Sequence, residues 1–100
     1  MPAYMIFTRT GPVTDQAAMD AYGAANRANA GTFVANFGLK PLSVYGKLEA
    51  VEGPAPEGIV LLEFPTAQAA RDWYDSPEYQ AALTHRLNGA PYTAVIIEGL

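Results

Sequence analysis

Few side chains in this sequence can do chemistry, so those few constrain the reading. There is one histidine, His85, and no cysteine, which removes thiolate nucleophiles, disulfides and Cys-based metal sites. Histidine changes charge near neutral pH, so His85 is a candidate catalytic acid or base; its place near the exposed end of the last predicted helix suits a solvated residue equally well. Glu63 is the other candidate catalytic group. It stands in Ile59-Val60-Leu61-Leu62-Glu63-Phe64, where a carboxylate must be paired, lie at a rim, or have a perturbed pKa. Arg9, Arg27 and Arg86 can each hold a carboxylate through two parallel hydrogen bonds, or neutralise an acid such as Glu63. One histidine without H-x-x-x-H spacing gives no basis for a metal site. Phosphate-cradling glycine patterns, a G-x-S-x-G elbow and calcium loops are all missing from the sequence, so no cofactor is expected.

Tyr4, Tyr22, Tyr45, Trp73, Tyr74, Tyr79 and Tyr92 are many amphipathic aromatics for 100 residues. A pocket lined by Tyr4, Tyr22 and Trp73, with Arg86 holding an anion, would suit a small apolar or aromatic ligand, although core and dimer packing use the same residue types. The formal charge is −4, and the six Lys and Arg residues are scattered, leaving no basic stripe for nucleic acid. The start, MPAYMIFTR, has no export signal and no run approaches a membrane span, so a cytoplasmic location without membrane or nucleic-acid partners is expected.

Several elements must position these residues. Tyr4 to Arg9 is rich in strand formers and stops at Gly11-Pro12. Thr14 or Asp15 can cap a helix whose stripe runs Met19, Tyr22, Asn26, Ala30, Phe33, Phe37 and ends at Gly38, with a break expected at Gly31. Leu42 to Ala50 alternates as a half-exposed strand, with Gly46 a possible bulge. Gly53 to Gly58 is turn material. Ile59 to Phe64 reads as a central strand ended by Pro65. Thr66 caps a short helix, and Ser76-Pro77 starts another with Tyr79, Leu83 and Leu87 inward, stopped by Asn88-Gly89. Tyr92 to Glu98 is the last strand.

The order β-α-β-β-α-β predicts an α+β, ferredoxin-like domain, 1-100, in which a four-stranded antiparallel sheet carries its helices on one face. Val, Ile, Leu and Phe number 22, which supports a folded chain, but 18 residues are alanine, so the core is modest. The first and third strands are apolar on both faces, and the uncovered face would be a large exposed patch. A twofold homodimer through that open face is therefore expected.

The segments PAYMIFTR, Asp15 to Tyr22, LLEFPTAQAARDWYDSPEYQAAL and the closing VIIEG are similar to those of the Domain of Unknown Function 1330 family, over nearly the whole chain. The resemblance implies a ferredoxin-like dimeric α/β barrel and no established activity. Its recurrent positions fall on Tyr4, Tyr22, Gly38, Glu63, Phe64, Trp73, Tyr74, Ser76, Tyr79, Arg86 and Glu98-Gly99. Basic residues that it implies in the second strand and before the third are replaced here by Tyr45 and Gly58, which puts an anionic ligand in doubt. The function expected is either a cofactor-independent enzyme, oxygenase, decarboxylase or isomerase-like, on a small aromatic or apolar metabolite, or a non-catalytic small-ligand-binding or stress-related dimer.

Overall fold

The computed structural model describes residues 1–100. Its elements are β1 (Ala3–Arg9), α1 (Gln16–Ala28), α2 (Ala30–Phe37), β2 (Lys40–Val44), β3 (Gly58–Phe64), α3 (Ala67–Asp75), α4 (Pro77–Gly89) and β4 (Tyr92–Glu98). The four strands form one antiparallel sheet in the order β2-β3-β1-β4. This is the ferredoxin-like α+β arrangement, with β1 and β3 central as their apolar sequences require.

Alternation along the strands divides the sheet into two unlike faces. Met5, Phe7, Leu62 and Phe64 face the helices and join Phe33, Ala70, Trp73, Tyr79 and Leu83 in the core. The residues between them, Tyr4, Ile6, Leu61 and Glu63, face the other way. Register sets Tyr4 between Glu63 and Ile97, and Ile6 between Leu61 and Val95. No helix covers that second face, and Val95 and Ile97 are each 54% exposed.

Capping residues act largely as their types dictate. Asp15 accepts the Ala18 N–H at the start of α1, and Thr66 accepts the Ala69 N–H at the start of α3. Ser76 serves both sides of the α3–α4 corner. Its hydroxyl donates to the Trp73 carbonyl at 2.7 Å and accepts the Tyr79 N–H at 3.2 Å. With Pro77 at the first helical position, this corner fixes the two rings that matter most to the core. Their centres lie 4.1 Å apart.

Four local expectations are corrected. The first long helix breaks at Asn29, whose side chain donates to the Ala25 carbonyl, and Gly31 lies inside α2. Strand β2 ends at Val44 because Tyr45 takes a left-handed conformation, φ 54°, so Leu48 and Ala50 alternate without a partner strand. Leu87 points to solvent, 70% exposed. Gly89 is the last residue of α4 rather than a left-handed stop; its missing side chain lets α4 approach Met19 of α1, where a Cβ would meet Sδ at 2.6 Å.

Gly38 does close α2 in the left-handed region, φ 68°, its N–H donating to the Val34 carbonyl at 3.0 Å. A Cβ there would also lie 2.8 Å from Pro65 Cγ. Gly38→Ala is expected to cost about 1–3 kcal/mol, since an L side chain is strained at this φ even after Pro65 gives way. Urea denaturation measures the loss.

Candidate ligand-binding site

Between the helix-bearing face of the sheet and helices α1 and α2 lies a cavity of about 470 Å³, within the range of small-molecule sites. Phe7, Val60 and Leu62 supply its floor, Phe33 and Trp73 its inner end, and Met19, Tyr22 and Asn26 its α1 wall. Val34 from α2 and Val44 and Tyr45 from β2 also line it and are substantially exposed, which marks the mouth. The cavity exists because α1 contributes no fully buried residue: its alanines and glycine are too small to fill the space above β1 and β3.

The only charged residue of the lining is Arg27, which is exposed. The polar groups are otherwise hydroxyl, amide and indole. The Tyr22 and Tyr79 hydroxyls are 2.9 Å apart, and those of Tyr45 and Tyr92 are also hydrogen-bonded. Burial raises the pKa of Tyr22, outweighing the lowering by its hydrogen bonds to Tyr79 and Asn26 and by the Arg86 charge. Burial likewise raises Tyr79 and Tyr92, reinforced by their tyrosine neighbours. All three phenols are therefore neutral at physiological pH.

These shifts make stability fall in alkali. The phenols titrate near 10.0 when unfolded and higher in the fold, so above pH 10 the unfolded chain loses protons that the native state keeps. Stability is fully present below pH 10. Above it, Tyr79 should remove about 1.4 kcal/mol per pH unit, and Tyr22 should steepen the fall. Urea denaturation at pH 8, 10 and 11 reads this slope, and Tyr79→Phe should make it shallower.

Arg86 is 6% exposed and lies between two rings, its guanidinium 5.1 Å from the centre of Phe7 and 5.0 Å from that of Tyr92. Its Nη1 has no hydrogen-bond partner. No acid pairs with it, the one ion pair of the structure being Arg71 with Asp75 on the surface of α3, at 2.9 Å. The charge is held by aromatic faces, one of them Phe7 of the cavity floor.

Of the residues singled out from sequence, Tyr22 and Trp73 line the cavity and Tyr4, Glu63, His85 and Arg86 do not. Glu63 is on the uncovered face of the sheet, level with Tyr4 and Lys40. His85 is exposed on α4. The two acid–base candidates are thus in different layers and do not meet. Tyr45 and Gly58, where basic residues were anticipated, touch each other: a Cβ on Gly58 would lie 2.8 Å from the Tyr45 ring, so the ring uses the space a side chain would need. In the sequence Asn26 is marked only as a position of the α1 stripe. Its signal was a lone amide within the apolar stripe from Met19 to Phe33.

Solved structures share this fold at low sequence identity. A dimeric ferredoxin-like protein of unknown function from Jannaschia sp. CCS1 is 15% identical, with a TM-score of 0.73 over 99% of this chain and 100% of its own. A protein of unknown function from Rhodopseudomonas palustris is 19% identical, with a TM-score of 0.69 over 99% and 82%. A Nitrosomonas europaea protein, provisionally assigned as an antibiotic biosynthesis monooxygenase, is 16% identical, with a TM-score of 0.61 over 99% and 89%. No curated protein matches the chain. No helix is long and apolar enough to cross a membrane. The family model described as Domain of unknown function (DUF1330) matches residues 2–100, and with the segments around Trp73 and Tyr79 forming the corner described above, the chain belongs to this family.

Proposed function

We propose that this protein is a homodimer that binds a small, predominantly apolar, ring-bearing metabolite between the sheet and helices α1 and α2. The observation that carries the reading is the composition of the cavity: about 470 Å³ walled mainly by aromatic and aliphatic side chains, with a few neutral polar groups, the exposed Arg27 as its only charge, and no carboxylate or histidine in its lining. Such a site recognises shape and a few hydrogen bonds. The apolar strip of Ile6, Leu61, Val95 and Ile97 on the uncovered face supports pairing with a second copy, as does the description of the Jannaschia protein as dimeric.

The reading as a cofactor-independent enzyme has less support. Proton transfer by a side chain requires the group within hydrogen-bond reach of the ligand, and Glu63 and His85 both lie outside the cavity. The neighbouring phenols have raised pKa values, which suits them to donate hydrogen bonds and not to abstract protons.

Calorimetric titration with naphthalene, a probe of suitable size and no polarity, tests the binding reading. Saturable binding is expected at one probe per chain, and Ala30→Trp, which places an indole at an exposed position of the lining, should abolish it. Absence of saturable binding, or binding indifferent to Ala30→Trp, would overturn the proposal.

A further inference from the structure

Arg27 is the one charged side chain of the cavity lining, and no acid of the subunit neutralises it. The single ion pair of the structure joins Arg71 to Asp75 on α3, and no carboxylate lines the cavity. Arg27 lies in the last turn of α1, where a cation commonly serves the free carbonyls of the helix end. Its guanidinium instead folds back one turn and lies against Gly23, so close that a Cβ there would meet Nη1 at 3.1 Å. Gly23 is itself part of the lining, so its missing side chain leaves room for the guanidinium on the α1 wall of the cavity. Depth then separates the two kinds of surface. Phe7, Phe33, Leu62 and Trp73 are buried at the inner end, whereas Arg27, Ala30 and Val34 are exposed along the rim.

Hydrocarbon inside with one unpaired cation at the rim is the complement of an amphipathic anion. We propose, building on the binding reading above, that the ligand is a ring-bearing carboxylic acid bound as its monoanion, with the ring in the cavity and the carboxylate on the Arg27 guanidinium. Two parallel N–H donors of a guanidinium match the two oxygens of a carboxylate. At the rim that carboxylate keeps part of its hydration, so the large cost of burying a charge does not arise. A dianionic phosphate ester fits poorly, because one guanidinium leaves its second charge unmatched on a chain of formal charge −4. An amine would meet Arg27 as a like charge. The cation comes from α1, and not from the strand positions held by Tyr45 and Gly58.

The test compares naphthalene, 2-acetylnaphthalene and 2-naphthoate by calorimetry on the full chain, at pH 7 and low ionic strength. The acetyl group has the outline of the carboxylate without its charge. 2-Naphthoate should bind about fivefold tighter than 2-acetylnaphthalene, the upper range for an exposed ion pair, and the advantage should shrink in about 0.5 M salt. In Arg27→Gln the advantage should vanish while naphthalene binds as before, and in Arg27→Glu it should reverse. Lys47→Gln removes the same charge from an exposed position outside the lining and should leave the advantage intact. Equal affinities for 2-naphthoate and 2-acetylnaphthalene in the natural sequence, or an advantage that survives Arg27→Gln, would overturn this assignment and leave the apolar-ligand reading intact. Failure of every probe to bind would overturn both.

Discussion

Leu61→Asp is expected to turn the proposed dimer into a monomer that is still folded. Leu61 faces away from the helices, paired in register with Ile6 on one side and Ser43 on the other, at the centre of the uncovered face. In a twofold assembly through this face, one substitution introduces two carboxylates into an apolar contact. An unpaired buried charge costs several kcal/mol, enough to weaken association about a thousandfold. The isolated subunit keeps its core, because every core residue of the sheet lies on the opposite face. Sedimentation should give twice the chain mass for the natural sequence and the chain mass for the variant, with far-ultraviolet circular dichroism preserved. A variant that remains dimeric would place the interface elsewhere, and a monomeric natural protein would remove the dimer from the proposal.

Trp73→Ala should be the most damaging change inside the subunit. The indole is the hub of the core: Tyr79, Phe64, Phe33 and Phe7 surround it with ring centres between 4.1 and 6.1 Å away. Truncation removes these contacts and enlarges the adjoining cavity, which a small domain cannot close. The loss expected is about 3–5 kcal/mol, a large share of the roughly 5–15 kcal/mol that holds a domain together. For a chain of this length it corresponds to a fall in melting temperature of more than about 12 °C. Urea denaturation followed by circular dichroism measures it, and a loss under about 1 kcal/mol would contradict the central place given to Trp73.

The fold was legible in the sequence because its signals are local and mutually consistent. The strand formers of β1, β3 and β4, the Thr66 and Ser76-Pro77 caps and the Gly38 stop each specify a conformation from a few neighbouring residues. The two unlike faces followed from period-two alternation. Where reading failed, a tertiary contact had overridden a local preference. Gly89 has the chemistry of a helix stop, but its small size is used against Met19. Leu48 and Ala50 alternate like a strand, yet the left-handed Tyr45 has already turned the chain away.

The site was only half legible, for a related reason. Tyr22 and Trp73 were found because large aromatics at helical spacing point inward and line whatever space is there. Glu63 and His85 drew attention by their chemistry, which says nothing about layer. The parity that sends Leu62 and Phe64 to the helices sends Glu63 to the opposite face, and this could have been read from alternation alone. The cavity itself could not, since it arises from what α1 leaves unfilled. Arg86 shows the limit most plainly: its type marks it as a holder of an anion or a partner for an acid, and only the three-dimensional packing of Phe7 and Tyr92 shows it enclosed with no acid beside it.

That α1 buries no residue completely has a consequence for the motions of the protein. Part of its inner side borders the cavity, while Met19 and Tyr22 pack against α4, so its backbone amides should exchange with deuterated solvent through local excursions below the free energy of global unfolding. Strands β1 and β3, sealed between neighbours, should exchange only when the whole domain opens. A bound ligand would lean on the inner side of α1 and add its binding free energy to the local equilibrium, about 2.7 kcal/mol at a hundredfold excess over its dissociation constant. Protection should then rise first and most in Gln16–Ala28, and the exchange map would mark the helix that rests on the ligand.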